Sequence, residues 1–149
     1  MSDNRLRAIG INHVALEVGD IDEALEFYGK LFEVDLLGKS ESDAFIGLGD
    51  QFIALFKGGS DARDSSRHFG LVVDDPEKGR ALLEAMGIEL MPGKGVNFND
   101  PWGNYVQLVT YGKIQFDKTP GVLRAMGLDD LQKTDAAKAE IAEKGFAGR

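Results

Sequence analysis

The chain of 149 residues holds two histidines, His13 and His68, and no cysteine. Imidazole is the commonest protein ligand for metal ions. With cysteine absent, a transition-metal site has no thiolate ligands to draw on. The two histidines stand 55 residues apart in matching contexts, NHVALEVGD over 12–20 and RHFGLVVDD over 67–75. Each context is an apolar, β-branched run that closes in an acidic turn. Strand alternation puts His13, Ala15 and Glu17 on one face, opposite Val14, Leu16 and Val18. It likewise sets His68, Gly70 and Val72 opposite Phe69, Leu71 and Val73. A lone histidine reads as a sheet residue satisfied by its neighbours. A matched pair in one register reads as two imidazoles aimed at one ion, with a remnant of ancestry as the competing account.

Gln107 is the natural third donor. Its amide oxygen can coordinate a hard or borderline divalent ion, but it brings no charge, so it binds more weakly than a carboxylate; the alternative role is a pocket hydrogen-bonder. Glu17 lies four residues beyond His13, about 13 Å along a strand rising ~3.3 Å per residue, and reads as a solvated rim charge. Taking the smaller or more polar strand faces as concave gathers His13, His68, Gln107 and Ala54. Phe52, Phe56, Tyr105 and Val72 surround them. An apolar wall with a few convergent polar groups is the usual chemistry of a small-molecule site. Tyr105 is the protic side chain nominated as a catalytic helper.

The elements that must hold these residues repeat. Ile21, Ala24, Leu25, Tyr28 and Leu31 recur at helical spacing after the first run. After the second, Asp75 can cap a helix that opens with Pro76, carries Leu82, Leu83 and Met86, and stops at Gly87. Strands are expected at about 34–39, 43–48 and 51–57, and again at 88–91, 95–99 and 104–110. The order is βαβββ twice. One such module is too small to cover both faces of its sheet, so two must share a core. The expected fold is α+β: tandem βαβββ modules forming a curved, mixed half-barrel sheet with helices outside and a cavity within. Residues 1–8 read as a tail, 9–58 and 64–112 as the modules, and 113–149 as a helical extension. In the extension, a short helix from Pro120 ends at Gly127, and Thr134 or Asp135 caps a second. The turn Asp100-Pro101-Trp102-Gly103-Asn104 is a hairpin with Asx-type bonding, and Trp102 is a candidate lid or interface residue.

Composition narrows the function classes. The formal charge is −8, which repels phosphate backbones, and no basic stripe is present, so no nucleic-acid partner is expected. No apolar run is long enough for a membrane span, and the first residues show no secretory h-region. The lack of cysteine fits a reducing compartment, and a cytoplasmic location is expected. Open sheet edges predict a homodimer.

The segments INHVALEVGDIDEALEFYGKLFEVDLL, RHFGLVVDD and FNDPWGNYVQLV together resemble the vicinal oxygen chelate superfamily, which spans glyoxalase I, extradiol dioxygenases, methylmalonyl-CoA epimerases, fosfomycin-modifying transferases and bleomycin-resistance proteins. The resemblance implies metal ligands on the first, fourth, fifth and eighth strands. By position these are His13, Ala54, His68 and Gln107, and Ala54 cannot coordinate. It implies a metal-dependent enzyme that holds Fe, Mn, Zn, Ni or Co and chelates two neighbouring oxygens of a small substrate. Proton-shuttling members use carboxylates where this chain has Ala54 and Gln107. Extradiol cleavage uses a further histidine that this chain lacks. The alternative is a metal-free binding protein of the bleomycin-resistance type.

Overall fold

The computed structural model describes residues 11, 13–58, 64, 67–114 and 116–143. The expected tail at 1–8, most of the join between modules and the last residues of the extension lie outside these.

Module one opens with β1 (His13–Val18), followed by α1 (Ile21–Leu31). The Asp20 carboxylate accepts from the Glu23 amide and caps α1, and Asp22 and Glu23 complement its N-terminal dipole. Its buried stripe is Ile21, Ala24, Phe27, Tyr28 and Leu31. Phe27 takes the core place expected for Leu25, which is half-buried. Three strands follow: β2 (Asp35–Lys39), β3 (Asp43–Gly47) and β4 (Phe52–Lys57). The sheet order is β1-β4-β3-β2, with β1 parallel to β4.

Module two repeats the pattern with β5 (Phe69–Val73), α2 (Pro76–Ala85), β6 (Val96–Asn99) and β7 (Tyr105–Thr110). Its sheet order is β5-β7-β6, with β5 parallel to β7. The strand expected at 88–91 is reduced to one bridge, between Met91 and Asn97. Pro92 has no amide hydrogen to donate, and Gly93 and Gly95 turn the chain with positive φ, so a ladder cannot extend. Helix α2 lies close against β7: a Cβ on Gly79 would stand 2.7 Å from Leu108 Cδ1. The extension comprises a 3-10 turn (Tyr111–Lys113), α3 (Pro120–Ala125) and α4 (Asp135–Glu143). Gly127, at φ +73°, ends α3 as expected, and the Thr134 hydroxyl caps α4 by accepting from Ala137. No helix among the described residues is long and apolar enough to cross a membrane.

The faces follow alternation. Leu16, Val18, Ile53 and Leu55 are buried under α1, and Leu71, Val106 and Leu108 are buried with α2, within one core shared by both modules. The modules meet at the β6–β7 turn. Asp100 is fully buried there. Its carboxylate accepts from the Tyr28 hydroxyl at 2.7 Å, the Trp102 and Asn104 amides at 3.0 and 2.9 Å, and the Asn104 side chain at 2.8 Å. The same Asn104 amide donates to the Glu17 carbonyl of β1. Trp102 packs against Gly19 and Phe27, so it is part of the joint and not a lid.

Burial, then the Asp100 charge, pushes the Tyr28 hydroxyl well above its ordinary value of 10.0. The folded state therefore holds this proton more tightly than the unfolded chain does. Its contribution is complete below pH 10 and is lost as pH rises through the folded value. Tyr28→Phe is expected to cost about 1–3 kcal/mol in denaturant titrations at neutral pH. It should also flatten the alkaline fall in melting temperature, and an unchanged fall would assign that effect to another group.

Candidate functional site

The two histidines begin equivalent strands. His13 opens β1 opposite Phe52 of β4, and His68 precedes β5, beside Tyr105 of β7. Both are exposed, on the sheet faces turned away from the helices. The His13 ring stacks on Phe52 with centroids 4.7 Å apart and planes 9° from parallel. The His68 ring lies 4.9 Å from that of Tyr105. Each imidazole thus rests on the aromatic residue of the neighbouring parallel strand. The Gln51 side chain donates to the Ile11 carbonyl at 2.9 Å and holds the entry to β1.

Both histidines line a cavity of about 490 Å³, together with Phe52 and Val72. This volume falls in the range of small-molecule pockets. The other expected wall residues lie elsewhere. Ala54 is 2% exposed, covered on its own sheet face by Phe45, Phe52 and Phe56, whose rings form an edge-to-face cluster. Phe56 is exposed at the far end of β4.

Gln107 and Tyr105 stand next to β5 but do not line the cavity. They belong to a small amide network. The Gln107 side-chain nitrogen donates to the Lys94 carbonyl at 2.7 Å. The buried Asn97 donates to the same carbonyl and accepts from the Tyr105 hydroxyl at 2.9 Å. This anchoring orients Gln107 by its nitrogen and leaves the amide oxygen for a ligand. Among the described residues, no three His, Cys, Asp or Glu side chains gather within reach of one ion. An ion held by the expected residues would meet imidazole nitrogen and amide oxygen, without a carboxylate. Such a set would suit a divalent ion of borderline softness and leave its double charge intact.

The extension supplies wall residues that strand alternation could not find. Phe116, Lys118, Leu123, Met126, Leu128 and Leu131 all line the cavity. Lys118 pairs with Asp50, which holds that carboxyl below its ordinary value, and its ammonium stands 5.5 Å from the Phe116 ring centre. Lys133 fastens the segment, donating to the Tyr111 and Ile114 carbonyls at 2.6 and 3.0 Å with its ammonium 3.7 Å from the Tyr111 ring centre. Burial lowers the Lys133 pKa from its ordinary value, against a smaller opposing pull from Asp117. The one sequence signal for this wall was the scatter of apolar residues between Phe116 and Leu131.

Comparison with known proteins gives the family and the fold. The model of the glyoxalase/bleomycin resistance protein/dioxygenase superfamily matches residues 10–108, and the chain belongs to that superfamily. The chain is 27% identical over 115 residues to the metallothiol transferase FosB of Staphylococcus haemolyticus, covering 68% of this chain and 83% of that protein. It is similar in fold to a lactoylglutathione lyase from Agrobacterium tumefaciens, with a TM-score of 0.58, 23% identity, and 70% and 96% of the two chains covered. It is also similar to the fosfomycin resistance protein FosX of Listeria monocytogenes in complex with Mn(II) and sulfate. There the TM-score is 0.60 at 19% identity, with 68% and 92% of the chains covered.

Lys133→Met keeps the apolar stem and removes the donors to both carbonyls. It is expected to cost about 1–2 kcal/mol and to speed proteolysis between residues 114 and 134. Unchanged cleavage would show that α3 and α4 hold the extension without this latch.

Proposed function

We propose that the chain is a vicinal oxygen chelate enzyme in which His13, His68 and Gln107 hold a divalent ion for a small oxygenated substrate. The observation that carries this reading is that the only two imidazoles of the chain line one cavity. Family membership, a relative named as a metallothiol transferase, and a similar fold that carries Mn(II) support it. When bound, the ion supplies Lewis-acid stabilisation to two neighbouring substrate oxygens. The protein's share is positional. Phe52 and Tyr105 brace the two imidazoles. The Lys94 carbonyl fixes Gln107. The cavity wall keeps water from the apolar part of the substrate. The Tyr105 hydroxyl donates to Asn97, and its oxygen can still accept a hydrogen bond from a substrate that reaches past the His68 ring. No carboxylate stands at Ala54 or Gln107, which favours a displacement or addition over the shuttling of a carbon-bound proton.

The second reading is a metal-free binding module of the bleomycin-resistance type. The missing third acidic or imidazole donor favours it, as does the aromatic shelf of Phe45, Phe52 and Phe56. The chain is also proposed to pair with a second copy. Leu36, Leu37 and Phe56 are exposed on one sheet, and each sheet leaves both its edge strands open among the described residues. Absence of cysteine suits a reducing, cytoplasmic setting for such an enzyme.

Elemental analysis of protein purified without chelator, beside His13→Ala and His68→Ala, separates the two readings. A lost ligand should weaken metal binding by at least the roughly 10–100-fold that a lost orienting partner costs. Gln107→Glu should tighten binding by adding a negative charge. A melting temperature indifferent to chelator and to every divalent ion supplied would favour the metal-free module. In sedimentation, the proposed pairing predicts twice the chain mass at micromolar concentration, and Phe56→Lys should shift the protein toward single copies.

A further inference from the structure

The cavity has a wall that the metal reading leaves unused. Beyond the family-matched segment, residues 111–114 and 116–131 run from the end of β7 to the turn between β3 and β4. A Cβ on Gly49 in that turn would stand 2.7 Å from Met126 Sδ and 3.0 Å from Val122 Cγ1. The far part of the extension is tied back by the Thr134 amide, which donates to the Gly112 carbonyl at 2.8 Å. This path brings Phe116, Leu123, Met126, Leu128 and Leu131 onto the same cavity as His13 and His68.

Residues from both faces of β5 line the cavity: Leu71 and Val73 from the core face, His68 and Val72 from the other. That is possible because β5 pairs on one side alone, with β7, and its outer edge faces the space. The enclosure is apolar. Apart from the histidines, Asp74 and Lys118 are the charged side chains among the described residues on its wall, and Lys118 is already matched by Asp50. A sugar, nucleotide or multiply charged guest would lose hydration there and find few polar groups to replace it. An alkyl or aryl group would release water from surfaces that gain nothing from it. Met126 and the leucines can adjust to guests of differing shape.

We propose that the extension is the specificity wall of the site, selecting substrates whose oxygen-bearing head reaches the histidines and whose uncharged alkyl or aryl tail lies against Leu123, Met126, Leu128 and Leu131. The identity of the head rests on the metal reading above; the apolar tail rests on the cavity alone.

The test is calorimetric titration of the full chain, supplied with Mn(II), against straight-chain hydroxamic acids from acetohydroxamate to octanohydroxamate. These carry two neighbouring oxygens and a graded tail. A matching series of alkyl alcohols is titrated into metal-free protein. Affinity should rise about fourfold per methylene until the space is full, then level off. Leu131→Ala should move the plateau to longer tails, and Leu128→Arg should flatten the slope. Where Leu128→Arg fails to fold, tails ending in a hydroxyl provide the same comparison on the unaltered protein and should bind more weakly than plain tails of equal length. A slope that survives His13→Ala and His68→Ala, with acetohydroxamate affinity and metal content also unchanged from the parent, supports the tail wall and removes the metal reading. Acetohydroxamate binding that depends on both histidines, with no gain from longer tails, overturns the tail wall and leaves the metal reading intact. A flat response in both series, or a plateau untouched by Leu131→Ala with a slope untouched by Leu128→Arg, also overturns the tail wall.

Discussion

The arrangement depends on one buried carboxylate. Asp100 sits at the β6–β7 turn with no exposure, and it is held by Tyr28 of α1 and by the amides of its own turn. A carboxylate removed from water is costly unless donors surround it. Here those donors come from both modules, so the group is satisfied when the modules are docked. Asn104 extends the joint to the carbonyl of Glu17, at the end of β1. Phe27, Phe98 and Trp102 pack around it and supply the apolar area that favours docking. The relative position of the two histidine-bearing strands is inherited from this joint.

The site is assembled on strand ends that the core holds still. His13 and His68 lie on exposed faces, but His13 belongs to, and His68 directly precedes, a ladder whose opposite face is buried. Aromatic neighbours on the parallel partner strands brace the rings. Gln107 is placed by a different device, a carbonyl shared between two amides in the irregular segment before β6. That segment is irregular because Pro92, Gly93 and Gly95 prevent a strand. The break in the second repeat therefore creates the acceptor that orients the candidate third ligand.

Much of this was legible in the residues. Alternation assigned the faces of β1, β4, β5 and β7, because one face of each strand is apolar at every second position. The cap at Asp75 and the stops at Gly87 and Gly127 act through local backbone chemistry and needed no tertiary information. Trp102 was misplaced as a candidate lid. Its partners Gly19 and Phe27 are distant in sequence, and no periodicity encodes a contact of that kind. Ala54 was placed on the correct face, but Phe45, Phe52 and Phe56 close over it, an effect of three aromatic side chains meeting across two strands.

The sequence by itself determined the duplicated modules, the pairing of the two histidines and the side of the sheet each one occupies, since these follow from short-range patterns of polarity and turn chemistry. Tertiary structure alone decided that the hairpin at Asp100 joins the modules and that the extension walls the cavity. Those outcomes rest on packing between segments far apart along the chain, where side-chain volume and the pairing of buried polar groups choose among arrangements that local pattern leaves equally open.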